Sequence, residues 1–166
     1  MRWRSYELRP MGTTISPEYR ARIEGYRPQM RAMAKERYGL EINEGPFGIN
    51  SRPALLGAKF AEEHGVGDAY HEAIFRAYWQ EAQDISDTAV LVTIATSLGL
   101  PEDQSLAALT AKKYDDLVMA DVQQAFQYGL NGVPASVFAG KYLVSGAQPY
   151  ELFAEVAEKV LADQDV

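Results

Sequence analysis

The chain has 166 residues, of which 47% are hydrophobic and 23% charged, a size and composition that suit one globular domain with its own core. It contains no cysteine, which excludes a disulfide scaffold, a cysteine-ligated metal, an iron–sulfur cluster and a thiol nucleophile. The net charge of −7 argues against nucleic acid as the main partner, because phosphate would be repelled.

The opening segment, residues 2–8, predicts a short strand with Trp3, Tyr6 and Leu8 as its bulky members. This segment lacks the apolar core of a signal peptide, and no apolar stretch approaches the roughly 20 residues that span a bilayer. We therefore expect a cytoplasmic protein with no membrane partner.

Positive charge is concentrated at the start of the chain. Residues 1–37 carry nine of the sixteen lysines and arginines against four acidic residues, so this section has a net charge of +5 and the remainder −12. An interaction surface is one interpretation, and a solvated basic face on an acidic protein is the simpler one.

A long helical block is predicted to follow. Ser16 can cap a first helix, with Pro17 suited to its first turn, and Pro28 is expected to begin a second helical piece that ends at Gly39. After a loop rich in Gly, Pro and Asn, hydrophobic periodicity predicts further helices at about 51–64, 68–83, 86–99 and 112–128, with a short one around 106–109.

The periodicity changes after residue 130. Residues 134–138 and 142–145 predict two strands around a tight turn at 139–141, and Pro149 is expected to open a last helix. That helix should pack inward through Leu152, Phe153, Val156 and Val160. A strand, a helical block, a hairpin and a helix together predict an α plus β fold with a large helical insertion.

Several segments resemble the DsbA family, and most closely its FrnE-like cytoplasmic branch. The strongest marker is Gly132-Val133-Pro134-Ala135-Ser136-Val137-Phe138, followed by Gly140-Lys141-Tyr142 and Val144-Ser145-Gly146-Ala147-Gln148-Pro149. Asn50-Ser51-Arg52-Pro53-Ala54-Leu55, Phe75-Arg76-Ala77-Tyr78-Trp79 and Asp84-Ile85-Ser86-Asp87 agree with it. The resemblance implies an α/β, thioredoxin-like fold of DsbA type in a single domain, 1–166. Residues 1–10 and 130–166 would form the thioredoxin-fold part, and residues 16–129 the mostly helical insertion.

The resemblance also implies a substrate-binding loop at Gly132, Val133 and Pro134, with a cis bond between the last two. The cis form of a peptide bond is much less unfavourable in free energy before proline than before any other residue. The exposed backbone of Val133 could then pair with an extended peptide. Trp79 and Asn50 are weaker candidates for the cleft, because helical aromatics are more often core residues and Asn50 could equally be a plain helix cap.

The family's first strand and first helix, which carry its Cys-x-x-Cys motif, would precede Met1. Without that motif there is no thiolate, so we expect no catalytic residue, no cofactor, no metal and no redox activity in this chain. The fold would then be incomplete. We expect either that another chain fills the gap, most simply in a homo-oligomer, or that the gene start is misplaced.

Three functions therefore stay open. The leading one is a DsbA-like thiol–disulfide oxidoreductase family protein that is redox-inactive and takes a peptide or small-thiol substrate. The alternatives are a non-redox peptide-binding or chaperone-like module, and a glutathione-dependent isomerase or transferase of the kappa-related group. His64 and His71 are separated by two glycines that break the helix, which is more typical of surface or capping histidines than of a metal site.

Overall fold

Seven helices and two strands make up the computed structural model, which describes residues 2–10 and 12–164. They are α1 (Pro17–Tyr38), α2 (Arg52–Glu63), α3 (Gly67–Trp79), α4 (Thr88–Ser97), α5 (Glu102–Ala108), α6 (Lys112–Gln127), β1 (Ala135–Phe138), β2 (Tyr142–Ser145) and α7 (Tyr150–Gln164). The chain separates into two units, residues 1–120 and 121–166. The single domain predicted above stays a prediction. No helix in the described residues has both the length and the apolar character needed to cross a membrane.

Helix α1 is continuous, so the predicted break at Pro28 is wrong. Ser16 caps it as predicted, because the Ser16 Oγ accepts the Tyr19 N–H at 3.2 Å, and Gly39 ends it with a φ of 66°. Pro28 removes one backbone donor from a helix of 22 residues and lies at an exposed position. The hydrogen bonds of the neighbouring turns therefore keep the helix intact.

The core of the first unit lies where α2, α3, α4 and α5 pack on one another. Its most deeply buried large side chains are Tyr70, Leu91 and Val118. Asp87 caps α4, because its Oδ1 accepts the Ala89 N–H at 2.8 Å. Helix α3, in contrast, ends at Trp79 rather than near residue 83, since Ala82 takes a φ of 55° that no helix contains.

The opening segment is not a strand, which corrects the prediction for residues 2–8. Side chains attach this segment to the first unit instead: the Trp3 ring stacks on His71, Ser5 is buried, and Glu7 forms an ion pair with Arg52. The bulky residues at positions 3, 6 and 8 do not alternate strictly. A two-residue period, which a ladder needs to present one face, is therefore absent.

The second unit is built on a β-hairpin. Strands β1 and β2 pair in antiparallel register from Ala135 with Ser145 to Phe138 with Tyr142, which confirms the predicted strands and turn. The turn uses left-handed backbone at Ala139 (φ 50°) and Gly140 (φ 68°), as tight hairpin turns require. Helix α7 packs on β1 through the rings of Phe153 and Phe138, whose centroids are 6.3 Å apart.

The apolar faces of the second unit are less buried than the periodicity predicts. Phe126 in α6 is 67% exposed, whereas Val122 and Ala125 of the same helix are buried. Leu152 is exposed, and Phe153, Val156 and Val160 are only half-buried. A two-stranded hairpin offers too little surface to cover a helix of 15 residues.

Helix α1 is attached to the loop that follows it through one buried carboxylate. The Glu44 side chain is 1% exposed and accepts hydrogen bonds from Arg31 Nε at 3.0 Å and Nη2 at 2.9 Å, while Arg27 Nε lies 3.0 Å from it. Burial alone would raise the Glu44 pKa. The hydrogen bonds from Arg31 and from the Glu44 backbone, together with the positive charges of Arg27 and Arg31, outweigh this effect and lower the pKa below its usual 4.5.

Glu44→Gln should therefore destabilise the protein by about 1–2 kcal/mol at neutral pH, because two arginines lose their shared carboxylate. A lowered pKa in the folded state means that this contribution is complete above about pH 4.5 and disappears as the pH falls through the folded-state pKa. Urea unfolding at pH 7 and pH 3 measures both values. Glu41→Gln is the matched control, since Glu41 is 72% exposed and pairs with the exposed Lys35. If Glu44→Gln destabilised the protein equally at both pH values, the loss would not come from the charge of the Glu44 carboxylate.

Candidate functional site

The loop formed by Gly132, Val133 and Pro134 leads into β1 in the second unit. The Val133–Pro134 peptide bond is cis, and Val133 is 54% exposed. The Pro134 carbonyl accepts the Gly146 N–H at 2.9 Å, which fastens the loop to the residue that follows β2. The loop is thus fixed on its Pro134 side and open to solvent at Val133.

This arrangement leaves the backbone of Val133 outside the hairpin ladder, whose first pair is Ala135 with Ser145. Peptides in extended conformation commonly bind proteins by adding a strand next to such backbone groups, with main-chain hydrogen bonds giving the affinity. The loop can therefore receive a peptide segment, and it carries no group that could exchange electrons.

Trp79 and Asn50, the other predicted site residues, both belong to the first unit. Trp79 is half-buried, and its ring meets the Tyr78 ring edge-on at a centroid distance of 5.0 Å. Its carbonyl also accepts the Asn43 N–H at 2.7 Å, so the end of α3 is tied to the loop before α2. These contacts give Trp79 a packing role, and its binding role stays a prediction.

Asn50 forms a hydrogen bond with the start of α2, although Ser51 occupies the N-cap position. Its Oδ1 accepts the Arg52 N–H at 3.0 Å and so satisfies a free donor in the first turn of α2. Asn50 also lines a shallow cleft of about 430 Å³ in the first unit. The other residues that line this cleft are Arg52, Pro53, Leu56, Leu109, Thr110, Lys112 and Asp115.

Arg52, beside Asn50, holds two acidic side chains from distant parts of the chain. Its Nη1 lies 2.7 Å from Glu7, while its Nε and Nη2 lie 2.9 Å and 2.6 Å from Asp115 Oδ1. The Arg52 side chain is 19% exposed and that of Glu7 only 7%. The guanidinium therefore has its charge satisfied within the protein, and it fixes the opening segment and α6 to the start of α2.

A second cleft in the first unit, of about 480 Å³, is lined by Trp3, Asp68, His71, Glu72 and Phe75. The Trp3 and His71 rings stack at a centroid distance of 3.8 Å, and the Phe75 ring follows at 4.5 Å from His71. Burial lowers the pKa of His71, against an opposing effect of Asp68, which favours the neutral imidazole near pH 7. Sequence reasoning missed this stack, since no local pattern links Trp3 with α3.

The histidines do not form a metal site in the part of the chain that the structure describes. His64 Nδ1 lies 2.9 Å from the Phe60 carbonyl, and His71 lies between aromatic rings. Among the described residues, no three potential ligands come close enough together to hold a metal ion. The side chains that line the two clefts can bind a ligand through hydrogen bonds, aromatic ring faces and charges.

Known proteins resemble this chain in both sequence and fold. The DSBA-like thioredoxin domain matches residues 1–158. An uncharacterised protein of Bacillus subtilis, YwbO, is 28% identical over 169 residues, which cover 98% of this chain and 80% of that protein. The crystal structure of a protein described as a probable DsbA oxidoreductase of Streptomyces coelicolor superposes with a TM-score of 0.81. It is 26% identical to this chain, with 96% of this chain and 74% of that one covered.

A 2-hydroxychromene-2-carboxylate isomerase has a TM-score of 0.77, with 99% of this chain and 82% of that one covered. At 18% identity, this likeness concerns the fold alone. The family match covers nearly the whole chain, and the hairpin and final helix stand in the order that the resemblance implies. The chain therefore belongs to the family of DSBA-like thioredoxin domains.

Proposed function

We propose that this chain docks a peptide substrate of DsbA-type thiol–disulfide chemistry and does not itself transfer electrons. The observation that carries the proposal is the exposed residue Val133, whose backbone lies outside the β1–β2 ladder, in a polypeptide of 166 residues with no cysteine. The peptide, or a small thiol, would lie along the loop of Gly132, Val133 and Pro134. The FrnE-like branch and the cytoplasmic location belong to this proposal as well.

The absence of cysteine decides the chemistry available to these residues. Thiol–disulfide exchange begins with a thiolate that attacks a disulfide and passes through a mixed disulfide. Serine and threonine hydroxyls cannot take up or release the two electrons involved. A thiol from outside these 166 residues would have to perform the exchange on the docked substrate.

The first test is enzymatic. The purified chain should leave the rate of insulin reduction by dithiothreitol at its uncatalysed value, because it has no group that forms a mixed disulfide. A cysteine-containing DsbA enzyme in the same assay serves as the positive control. Acceleration that survives removal of contaminating thiol enzymes would contradict the proposal.

The second test concerns peptide docking. Val133→Asp should weaken binding of a labelled, extended, cysteine-containing peptide at least tenfold in fluorescence anisotropy, since it places a desolvated charge beside the docked strand. Leu161→Asp is the matched control, because Leu161 is 63% exposed in α7 of the same unit. Equal weakening by both variants, or by neither, would count against the loop as the docking site.

Two binding measurements separate the two other functions. A chaperone-like module would bind the peptide equally well with serine in place of cysteine, whereas a thiol–disulfide partner would discriminate between them. A glutathione-dependent isomerase or transferase would bind glutathione in calorimetry, and its support is limited to the likeness in fold with the isomerase.

A second copy of the chain is the partner we propose for the hairpin. Among the described residues the sheet contains only β1 and β2, so each strand has one edge without a neighbour. Such edges readily pair with another chain. Size-exclusion chromatography with light scattering should give a dimer or larger assembly, and a stable monomer at micromolar concentration would exclude this partner.

A further inference from the structure

Three arginines converge on one aromatic ring in the first unit. The guanidinium carbons of Arg9, Arg20 and Arg27 lie 5.1, 5.1 and 5.7 Å from the centroid of the Phe47 ring. They come from the segment before α1 and from α1 itself, while Phe47 belongs to the turn before α2. That turn depends on glycine at position 48, whose φ is 82°.

A fourth arginine extends the cluster. Arg22 lies 5.0 Å from the centroid of Tyr19, and Arg9 reaches the same ring at 5.5 Å and donates a hydrogen bond to Tyr19 Oη at 3.1 Å. Arg9 therefore stands between both rings. Three of the four guanidinium groups accompany α1, a helix with Ala34 as its one buried residue among those described.

Nearby carboxylates do not balance this charge. Glu44 is shared between Arg27 and Arg31, and Glu24 lies 3.7 Å from Arg20 in a pair of which both members are about half exposed. In the described part of the chain, no carboxylate lies within ion-pair distance of Arg9 or Arg22. The cluster is left with more positive than negative charge.

The positive charges are gathered around one ring. The distances to the shared centroid of Phe47 place the guanidinium carbons at most about 11 Å from one another. Salt screens charges over about 8 Å at physiological ionic strength, so mutual repulsion acts between those guanidinium groups that lie closer together than this length. Contact with the ring faces offsets some of that repulsion, and an anion between the guanidinium groups would remove more of it.

We propose that Arg9, Arg20, Arg22 and Arg27 form a binding site for the phosphate group of a small phosphorylated ligand. A guanidinium presents its N–H groups in a planar fork that matches the oxygens of phosphate, and several forks from different directions can surround a tetrahedral oxyanion. The site lies in the first unit, and the proposal does not depend on peptide docking at Val133.

Inorganic phosphate is the probe for the test. In spectra of the ¹⁵N-labelled protein, phosphate should shift the Nε–Hε signals of Arg9 and Arg20 in a saturable manner, while sodium chloride at equal ionic strength should not. The double variant Arg9→Gln/Arg20→Gln should bind phosphate at least tenfold more weakly. Arg76→Gln is the matched control, because Arg76 is an exposed arginine of α3 paired with Glu72.

Several results would overturn the proposal: shifts that rise linearly with salt, shifts spread evenly over all arginines, or equal weakening by the control variant. Binding to phosphatidylglycerol-containing vesicles without any binding of inorganic phosphate would also contradict it and would indicate a membrane surface. The wild-type spectra decide the question even if the double variant does not fold.

Discussion

Gly57→Ala is expected to lower the free energy of unfolding by about 2–4 kcal/mol. Gly57 is buried in α2, and a methyl group on its Cα would overlap Tyr70 Oη and lie 2.9 Å from Tyr70 Cζ and 3.3 Å from Leu109 Cδ2. Alanine in a helix interior normally gains up to about 1 kcal/mol over glycine. The overlap exceeds that gain because the Tyr70 ring is buried and has no room to move.

Gly25→Ala is the matched control for this substitution. Gly25 lies in α1, and a methyl group at its Cα would meet no atom within 4 Å. Only the helix propensity then changes, so Gly25→Ala should stabilise the protein by about 0.5–1 kcal/mol. Urea unfolding of both variants measures the difference, and stabilisation by Gly57→Ala would show that α2 and α3 are not packed as described.

Tyr70→Phe tests the other partner in this contact. The Tyr70 hydroxyl is buried and has no hydrogen-bond partner among the described residues, and burial raises its pKa. Removing an unsatisfied buried hydroxyl should be neutral or stabilising by about 1 kcal/mol. It should also relieve part of the overlap, so the double variant Gly57→Ala/Tyr70→Phe should be more stable than Gly57→Ala alone.

The structural elements that depend on residues close together in the sequence could be predicted from it. The cap at Ser16 and the hairpin at residues 135–145 depend on contacts a few positions apart, and each is found where it was predicted. The strand predicted for residues 2–8 is absent for two reasons. Its bulky residues do not alternate strictly, and a strand also needs a distant segment to supply its hydrogen bonds, which the residues themselves cannot reveal.

The candidate site also has one part that could be predicted from the sequence and another that could not. The loop at Gly132, Val133 and Pro134 was located through the family resemblance, which reports on proteins that share the fold. The stack of Trp3 on His71 and the ion pairs of Arg52 join residues dozens of positions apart, and no periodicity records such contacts. One signal was available: an arginine in the first turn of a helix opposes the helix dipole and calls for a specific acidic partner.

Arg52→Met should destabilise the protein by about 2–4 kcal/mol, because it leaves Glu7, whose side chain is 7% exposed, without its cation. The methionine keeps most of the side-chain volume, so the loss is mainly electrostatic. Arg76→Met is the matched control. Arg76 has a comparable distance of 2.9 Å to Glu72, but its side chain is 55% exposed, and exposed pairs contribute little.

The location of the effect distinguishes a buried ion pair from general loss of packing. Because Arg52 connects Glu7 to Asp115, its removal should release the opening segment first, and hydrogen exchange at residues 4–8 should accelerate more than exchange in α4. Adding Glu7→Gln to Arg52→Met should recover part of the stability, since the free-energy cost of burial is smaller for a neutral amide than for an unpaired carboxylate. If Glu7→Gln instead lowered stability further in the Arg52→Met background, a group other than Arg52 would stabilise the buried Glu7 carboxylate.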